Sequence, residues 1–398
     1  MPTAAQAPAA DTLRLAKACN EFAADLCAKL AAQGSSTCSP ASISIALLML
    51  LPGAKGNTAT ELASVLRLPE ELRGDALHTA AADLLKQSGF VASAGRSGGE
   101  KPATQHLAND IWVQKGFPLV DSYVDLLRGS FAADQRVVDF AKDPEAVRKT
   151  INAHIAKATN DRIRDLIPEG LVGEATRLVL TNALWFKAGW VHPFPEGSTA
   201  DAPFQLANGT RVDAPMMHVE DQFQYAESEQ WQFVALPFES GYIRLEAMLP
   251  RGKTTLAQAE SMLLTGAHAA TLTVERVRVS LPRFRVAASH RLREPLRALG
   301  MLDAFAAGVA DFSAMDPKKL LVVDDIVHKT WIAVDEKGAE AAAATATVLK
   351  VGSAAPRGEP KVFVADRPFV FVLRDARTGF VLFVGRVDDP RESKQAGG

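Results

Sequence analysis

With 47% hydrophobic and 23% charged residues over 398 positions, the chain has the composition of a globular protein able to bury a large core, which excludes disorder. Its 44 basic and 46 acidic residues leave a net charge of −2 and are spread along the chain, so there is no basic footprint for nucleic acid or for an anionic membrane. No apolar run reaches the ~18 residues needed to cross a bilayer.

The start, MPTAAQAPAADTLRLAKACNEF, lacks the basic and continuous apolar regions of a secretory signal, so a cytoplasmic or already trimmed chain is expected. After a loose tail, 1–11, Leu15, Cys19, Phe22, Leu26 and Leu30 recur at helical spacing. Cys19, Cys27 and Cys38 are an odd number without CxxC spacing or a nearby histidine, which argues against a disulfide framework or a zinc site. Cys19 and Cys27 read as small apolar residues on one buried helix face. Ser39-Pro40 opens a second helix, apolar almost all round, because serine caps free amides and proline fits a first turn. GAKGNT ends it and starts a third, with Asn57 or Thr58 as cap. That glycine-rich string lacks the spacing of a phosphate loop.

A helix is expected over 71–88; its Arg73 and Lys86 form no basic stripe, so a heparin-type activator is not supported. LANDIWVQ and LVLTNALWFKAGW read as buried strands, and PEAVRKTINAHIAKATNDRIRDLI between them has helical period. Strand patterns dominate from residue 204 onward, ending in a hairpin about Arg377-Thr378-Gly379. Helices early and strands late imply an α+β fold with a large mixed or antiparallel sheet, in one domain over 12–390 with a short tail at 391–398. Nucleophile-elbow and zinc-hydrolase motifs are absent and the eight histidines are isolated in sequence, so a hydrolase is the remote alternative.

Four strings then act together: SPASIS (39–44) with GAKGNT, NALWFKAGW (182–190) with HPF, HKTWIAVDEKGAEAAAATA (328–346) and DRPFVFVLRDARTGFVLFVGRV (366–387). In order and spacing they resemble the signature segments of serpins, and VVDF (137–140), INAHIAKATNDRI (151–163), FVALPF (233–238) and LPRF (281–284) extend the resemblance from Asn20 to Pro390. It implies a single serpin domain in which early helices lie on a large central mixed sheet with smaller sheets beside it. It also implies an exposed reactive-centre loop over 336–360, a suicide-substrate inhibitor rather than an enzyme, no cofactor or metal, and a monomer.

The hinge implied by the resemblance comprises Glu336, Gly338, Ala339, Glu340, Ala341, Ala342, Ala343, Ala344 and Thr345. From Ala339, alternate residues are small and then apolar, while Glu340 and Lys350 fall on the other face, so the segment is compatible with a strand. Alanine favours helix over strand, which lets the uncut segment wait outside the sheet. Residues 339–352 would extend ~46 Å at ~3.3 Å each, and the added ladder would contribute on the order of 10 kcal/mol.

Matched position by position, Ser39, Ser42, Asn182 and His328 correspond to the family's polar cluster under the parting strands. Glu336, Arg283 and Trp190 correspond to the pair and aromatic at the top of the sheet. Counting forward from Glu336 selects Gly352-Ser353 as the cleaved bond, with Lys350-Val351 and Val351-Gly352 as register alternatives; counting back from Pro368 selects Arg357-Gly358. Small residues there suit elastase-like or subtilisin-like serine proteases, and Lys350 or Arg357 would suit trypsin-like ones. A non-inhibitory serpin acting as a binding or chaperone module, or an inhibitor of cysteine proteases, is the alternative.

Overall fold

The apolar spacing of the first segment is realised as α1 (Ala10–Lys29), where Leu15, Cys19, Phe22 and Leu26 are all buried on one side. The computed structural model describes residues 7–30, 34–89, 104–239, 241–339 and 358–391. At α2 (Pro40–Leu50) the Ser39 hydroxyl accepts the Ser42 amide at 3.2 Å, and Pro40 occupies the first turn, where no amide is required. α3 (Gly56–Val65) begins earlier than expected and neither Asn57 nor Thr58 caps it. Both have tertiary partners instead: Thr58 Oγ1 accepts the Asp311 amide at 3.0 Å, and the Asn57 side chain donates to Glu61 and Asp303.

α4 (Asp75–Gln87) starts only after Gly74, whose φ of 56° interrupts the helical path expected from residue 71. α5 (Asp121–Phe131) and α6 (Pro144–Ala158) follow; α6 stops short of its periodic string because Asn160 and Asp161 turn left-handed, at φ 47° and 61°. The last two are α7 (Leu256–Thr265) and α8 (Arg293–Ala298).

The strands form two mixed sheets. The six-stranded one runs β10 (Phe284–Arg291), β11 (Val327–Asp335), β12 (Gly338–Ala339), β4 (Leu178–Gly189), β2 (Thr104–Gln114) and β3 (Asp134–Val138). The nine-stranded one runs β1 (Ser36–Cys38), β15 (Val381–Val387), β14 (Phe369–Asp375), β8 (Ile243–Pro250), β7 (Trp231–Pro237), β6 (Arg211–Glu227), β9 (Thr273–Pro282) and β13 (Lys361–Val364), with β5 (Ala200–Gln205) on β6. Only β2–β3 and β13–β9 pair parallel among these strands, and the helices do not alternate regularly with the strands, so the architecture is α+β.

The six-stranded sheet separates two apolar regions. Alternate residues of a strand point to opposite faces. Leu184 and Phe186 of β4 join the main core with α1 and α2, whereas Ala183 joins a smaller cluster with Trp112, Phe140, Ile151 and Ile155 beneath α6.

Candidate functional site

β10 pairs with β11 along its whole length, from Phe284↔Val334 to Arg291↔Val327, and β2 pairs with β4 from Thr104↔Lys187 to Val113↔Leu178. The facing edges of β4 and β11 differ. Of the described residues, those of β12 lie between them, Gly338 opposite Asp335 and Gly189, Ala339 opposite Val334 and Ala188. Among the described residues, no other strand pairs with these edges. A cavity of about 540 Å³ occupies the far end of the gap, bounded by the starts of β4 and β11 and by α2.

The turn into β12 is held by Asp335, whose carboxylate accepts the amides of Lys337 at 2.9 Å and Gly338 at 3.3 Å. Gly338 is required by close approach, since a Cβ there would lie 1.9 Å from the carbonyl oxygen of Ala188. Ala339 is buried beside it. Glu336 is buried as well, and Arg283 Nε donates to its two oxygens at 2.7 and 2.8 Å, with a second guanidinium nitrogen at 2.5 Å. The Thr199 hydroxyl donates to the same carboxylate at 2.5 Å. Burial pushes the Glu336 carboxyl up, but the bonds from Arg283 and Thr199 outweigh it and hold the group below its ordinary range.

Trp190 fixes the backbone of this turn: its Nε1 donates to the Asp335 carbonyl at 2.8 Å and its amide to the Lys337 carbonyl at 3.0 Å. Its ring stacks on Phe238 with centroids 4.3 Å apart.

Below the gap, the Ser42 hydroxyl donates to Asn182 Oδ1, Asn182 Nδ2 donates to Asn109 Oδ1 at 2.5 Å, and Asn109 Nδ2 donates to the Phe131 carbonyl at 2.8 Å. His328 joins through the backbone instead, its Nε2 accepting the Ser39 amide at 2.9 Å, while the Ser39 hydroxyl donates to the Leu382 carbonyl at 2.6 Å. Burial, and then the neighbouring His290 ring, push His328 down to about 3. An unprotonated Nε2 is what the Ser39 amide requires. Asn109 and Thr199 escaped the sequence analysis. The one available signal for Asn109 was a polar Asn-Asp pair set inside the strand-like LANDIWVQ.

Glu340, Ala341, Ala342, Ala343, Ala344 and Thr345 lie outside the described residues, as do Lys350, Val351, Gly352, Ser353 and Arg357. Gly358 is described and exposed, ahead of β13.

The family model described as serpin (serine protease inhibitor) matches residues 17–390. An uncharacterized serpin-like protein of Thermococcus kodakarensis is 38% identical over 380 residues, 94% of this chain and 85% of that protein. Leukocyte elastase inhibitor of Bos taurus is 33% identical over 394 residues, 95% of this chain and 100% of that protein. Among solved structures, native protease nexin-1 with heparin superposes at a TM-score of 0.81 and 27% identity over 95% of this chain and 100% of that one. Cleaved Serpin 42Da gives 0.80 at 28% identity over 96% and 100%. A match of this extent, on a fold with a two-residue strand seated between β4 and β11, makes the chain a member of the serpin family of serine protease inhibitors.

Proposed function

We propose that this serpin is a suicide-substrate inhibitor of serine proteases: a protease cuts the segment after β12, and the upstream part enters the sheet between β4 and β11 while the acyl-enzyme is still attached. The protease's own serine attacks the loop; the chain supplies no catalytic group, and insertion distorts the protease before deacylation. The observation that carries this reading is β12 itself, two residues already paired on both sides at the mouth of a gap whose remaining edges are unpaired among the described residues.

Continued in the same two registers, Ala341 would lie between Ile332 and Phe186, Ala343 between Thr330 and Leu184, and Thr345 between His328 and Asn182. These share the inward face of Ala339. Thr347 and Leu349 would come opposite Leu180 and Leu178, where the 540 Å³ cavity has room for larger side chains. Alanines thus meet the tightly filled half of the sheet and bulkier residues the hollow half. Glu340 would face outward with the other parity. Ten newly paired residues at ~0.5–1.5 kcal/mol per net bond give on the order of 10 kcal/mol, comparable with the stability of a whole domain. The uncut fold is then held by a kinetic barrier.

Because β4 begins at the residue opposite Leu349, a bond at Gly352-Ser353 leaves a short spacer beyond the sheet, and we favour it over Lys350-Val351, Val351-Gly352 and Arg357-Gly358. Small residues there fit the shallow pockets of elastase-like or subtilisin-like proteases.

The test is incubation with elastase, subtilisin and trypsin. The expected result is an SDS-resistant complex with the protease, a released C-terminal fragment mapping to the cut, and a large rise in Tm of the cleaved protein. A clipped chain with an unchanged Tm and no complex would overturn the proposal.

A further inference from the structure

We propose that Cys27 and Cys38 form a reversible disulfide that staples the end of α1 to the strand leading into α2. The sequence spacing sets Cys19 and Cys27 together on one face of α1, but the fold brings Cys27 to Cys38. Their sulfurs are 3.6 Å apart, in van der Waals contact and ~1.5 Å beyond bonding distance. Cys27 stands in the last turn of α1 and Cys38 ends β1, directly before Ser39. A void of about 20 Å³ borders both, next to Leu30 and Ser36, and gives the side chains room to rotate together. Cys19 is fully buried and lies ~12 Å up the helix from Cys27 at ~1.5 Å per residue, out of reach of either.

The oxidant is a low-molecular-weight disulfide such as oxidised glutathione. The thiolate of one cysteine attacks it, forming a mixed disulfide and releasing one small thiol. The neighbouring sulfur, as thiolate, then attacks the protein-side sulfur and releases the second. Two protein thiols thereby lose two electrons and two protons, and the small disulfide ends as two thiols. The hydrogen bond to Cys38, and then burial, push the Cys27 thiol well up, so the folded pair reacts slowly and the bond is made as the chain folds or when the end of α1 opens.

The position gives the staple a consequence. The Thr37 carbonyl accepts from His290 Nε2 at 3.1 Å and from the Thr330 hydroxyl at 3.0 Å, and the Ser39 amide donates to His328. Residues 37–39 are therefore the peptide on which β10 and β11 hang, and a bond at Cys38 anchors that peptide to α1 from the other side. Closing the short loop 27–38 should raise Tm by about 4 °C.

The inference does not depend on protease inhibition, and its test uses none. The full chain is refolded in reduced or in oxidised glutathione, denatured, alkylated with iodoacetamide and mapped by mass spectrometry. Three alkylated cysteines are expected in the reduced arm; one, Cys19, is expected in the oxidised arm together with a Cys27–Cys38 cross-linked peptide. The oxidised protein should melt about 4 °C higher and return on dithiothreitol treatment. Cys19→Ser should keep the difference and Cys27→Ser should lose it; the comparison of oxidised with reduced wild type needs neither variant to fold. Three free thiols after oxidative refolding would overturn the proposal, as would a bond to Cys19 or to a second molecule, or a Cys27–Cys38 bond without a higher Tm.

Discussion

Ser39 and His328 are joined by a bond in which the first amide of the α2 cap donates to the imidazole Nε2, 2.9 Å away, and this makes a neutral ring part of the fold. The ring's folded value of about 3 lies below the ~6.5 of an exposed histidine. Its contribution is therefore complete above pH ~6.5 and is lost progressively as pH falls toward 3. Between pH 7 and 5 the loss is about 2 kcal/mol. His78, His268 and His290 are also lowered, chiefly by burial, and act with the same sign. Calorimetry across this range should show a falling Tm, and His328→Gln, which keeps an acceptor but cannot titrate, should show a shallower fall.

The relay from Ser42 through Asn182 and Asn109 to the Phe131 carbonyl is closed at each step. Asn182→Ala strands a hydroxyl and an amide together, at about 1–3 kcal/mol for each group left unpaired. Urea midpoints should drop accordingly. The double variant Asn109→Ala/Asn182→Ala should cost less than the two singles added, because they break the same chain.

Arg283 and Glu336 are unequal partners, since the arginine side chain is 47% exposed and the glutamate 6%. Arg283→Gln leaves a buried carboxylate without its cation, whereas Glu336→Gln leaves a cation that solvent can reach. At pH 7 the Arg283 variant should melt lower than the Glu336 variant. Lowering the pH protonates the abandoned carboxylate and should narrow the difference.

At Gly338 an added methyl would sit 1.9 Å from the Ala188 carbonyl oxygen. Gly338→Ala should expel β12, and the Trp190 amide, which donates to the Lys337 carbonyl in the turn into β12, should then exchange with deuterium on the order of tenfold faster or more, as expected when a local opening becomes ~1.4 kcal/mol easier.

The two parities of the hinge separate the inserted strand from a loop that is merely cut. Ala341→Arg would bring a guanidinium between Ile332 and Phe186 in the core, while Glu340→Arg exchanges one outward charge for another. The first should turn complex formation into simple cleavage and the second should leave the stoichiometry of inhibition near that of wild type. Equal behaviour of the two would remove the assignment of faces.

What could be read from the residues divides along a physical line. Local periodicity announced α1, α2, β2, β4 and the β14–β15 hairpin, because spacing and cap chemistry are written into consecutive residues. Ser39 and Pro40 announced the start of α2 in the same way. Asn57 and Thr58 misled because their side chains serve Asp303 and Asp311, about 250 residues away, and no local pattern encodes such a partner. Arg283 beside Glu336 was expected only through the family resemblance, and Asn109 was missed for the same reason that Asn57 misled: its partners, Asn182 and the Phe131 carbonyl, belong to other elements. The contact of Cys27 with Cys38 depends on how α1 turns into β1, which composition does not specify.

The small cluster beneath α6 splits the interior in two. Trp112, Ile151, Ile155 and Ala183 are sealed from the principal interior by the sheet itself, so truncating one of them opens a hollow on the α6 side alone and spares the packing beneath α2.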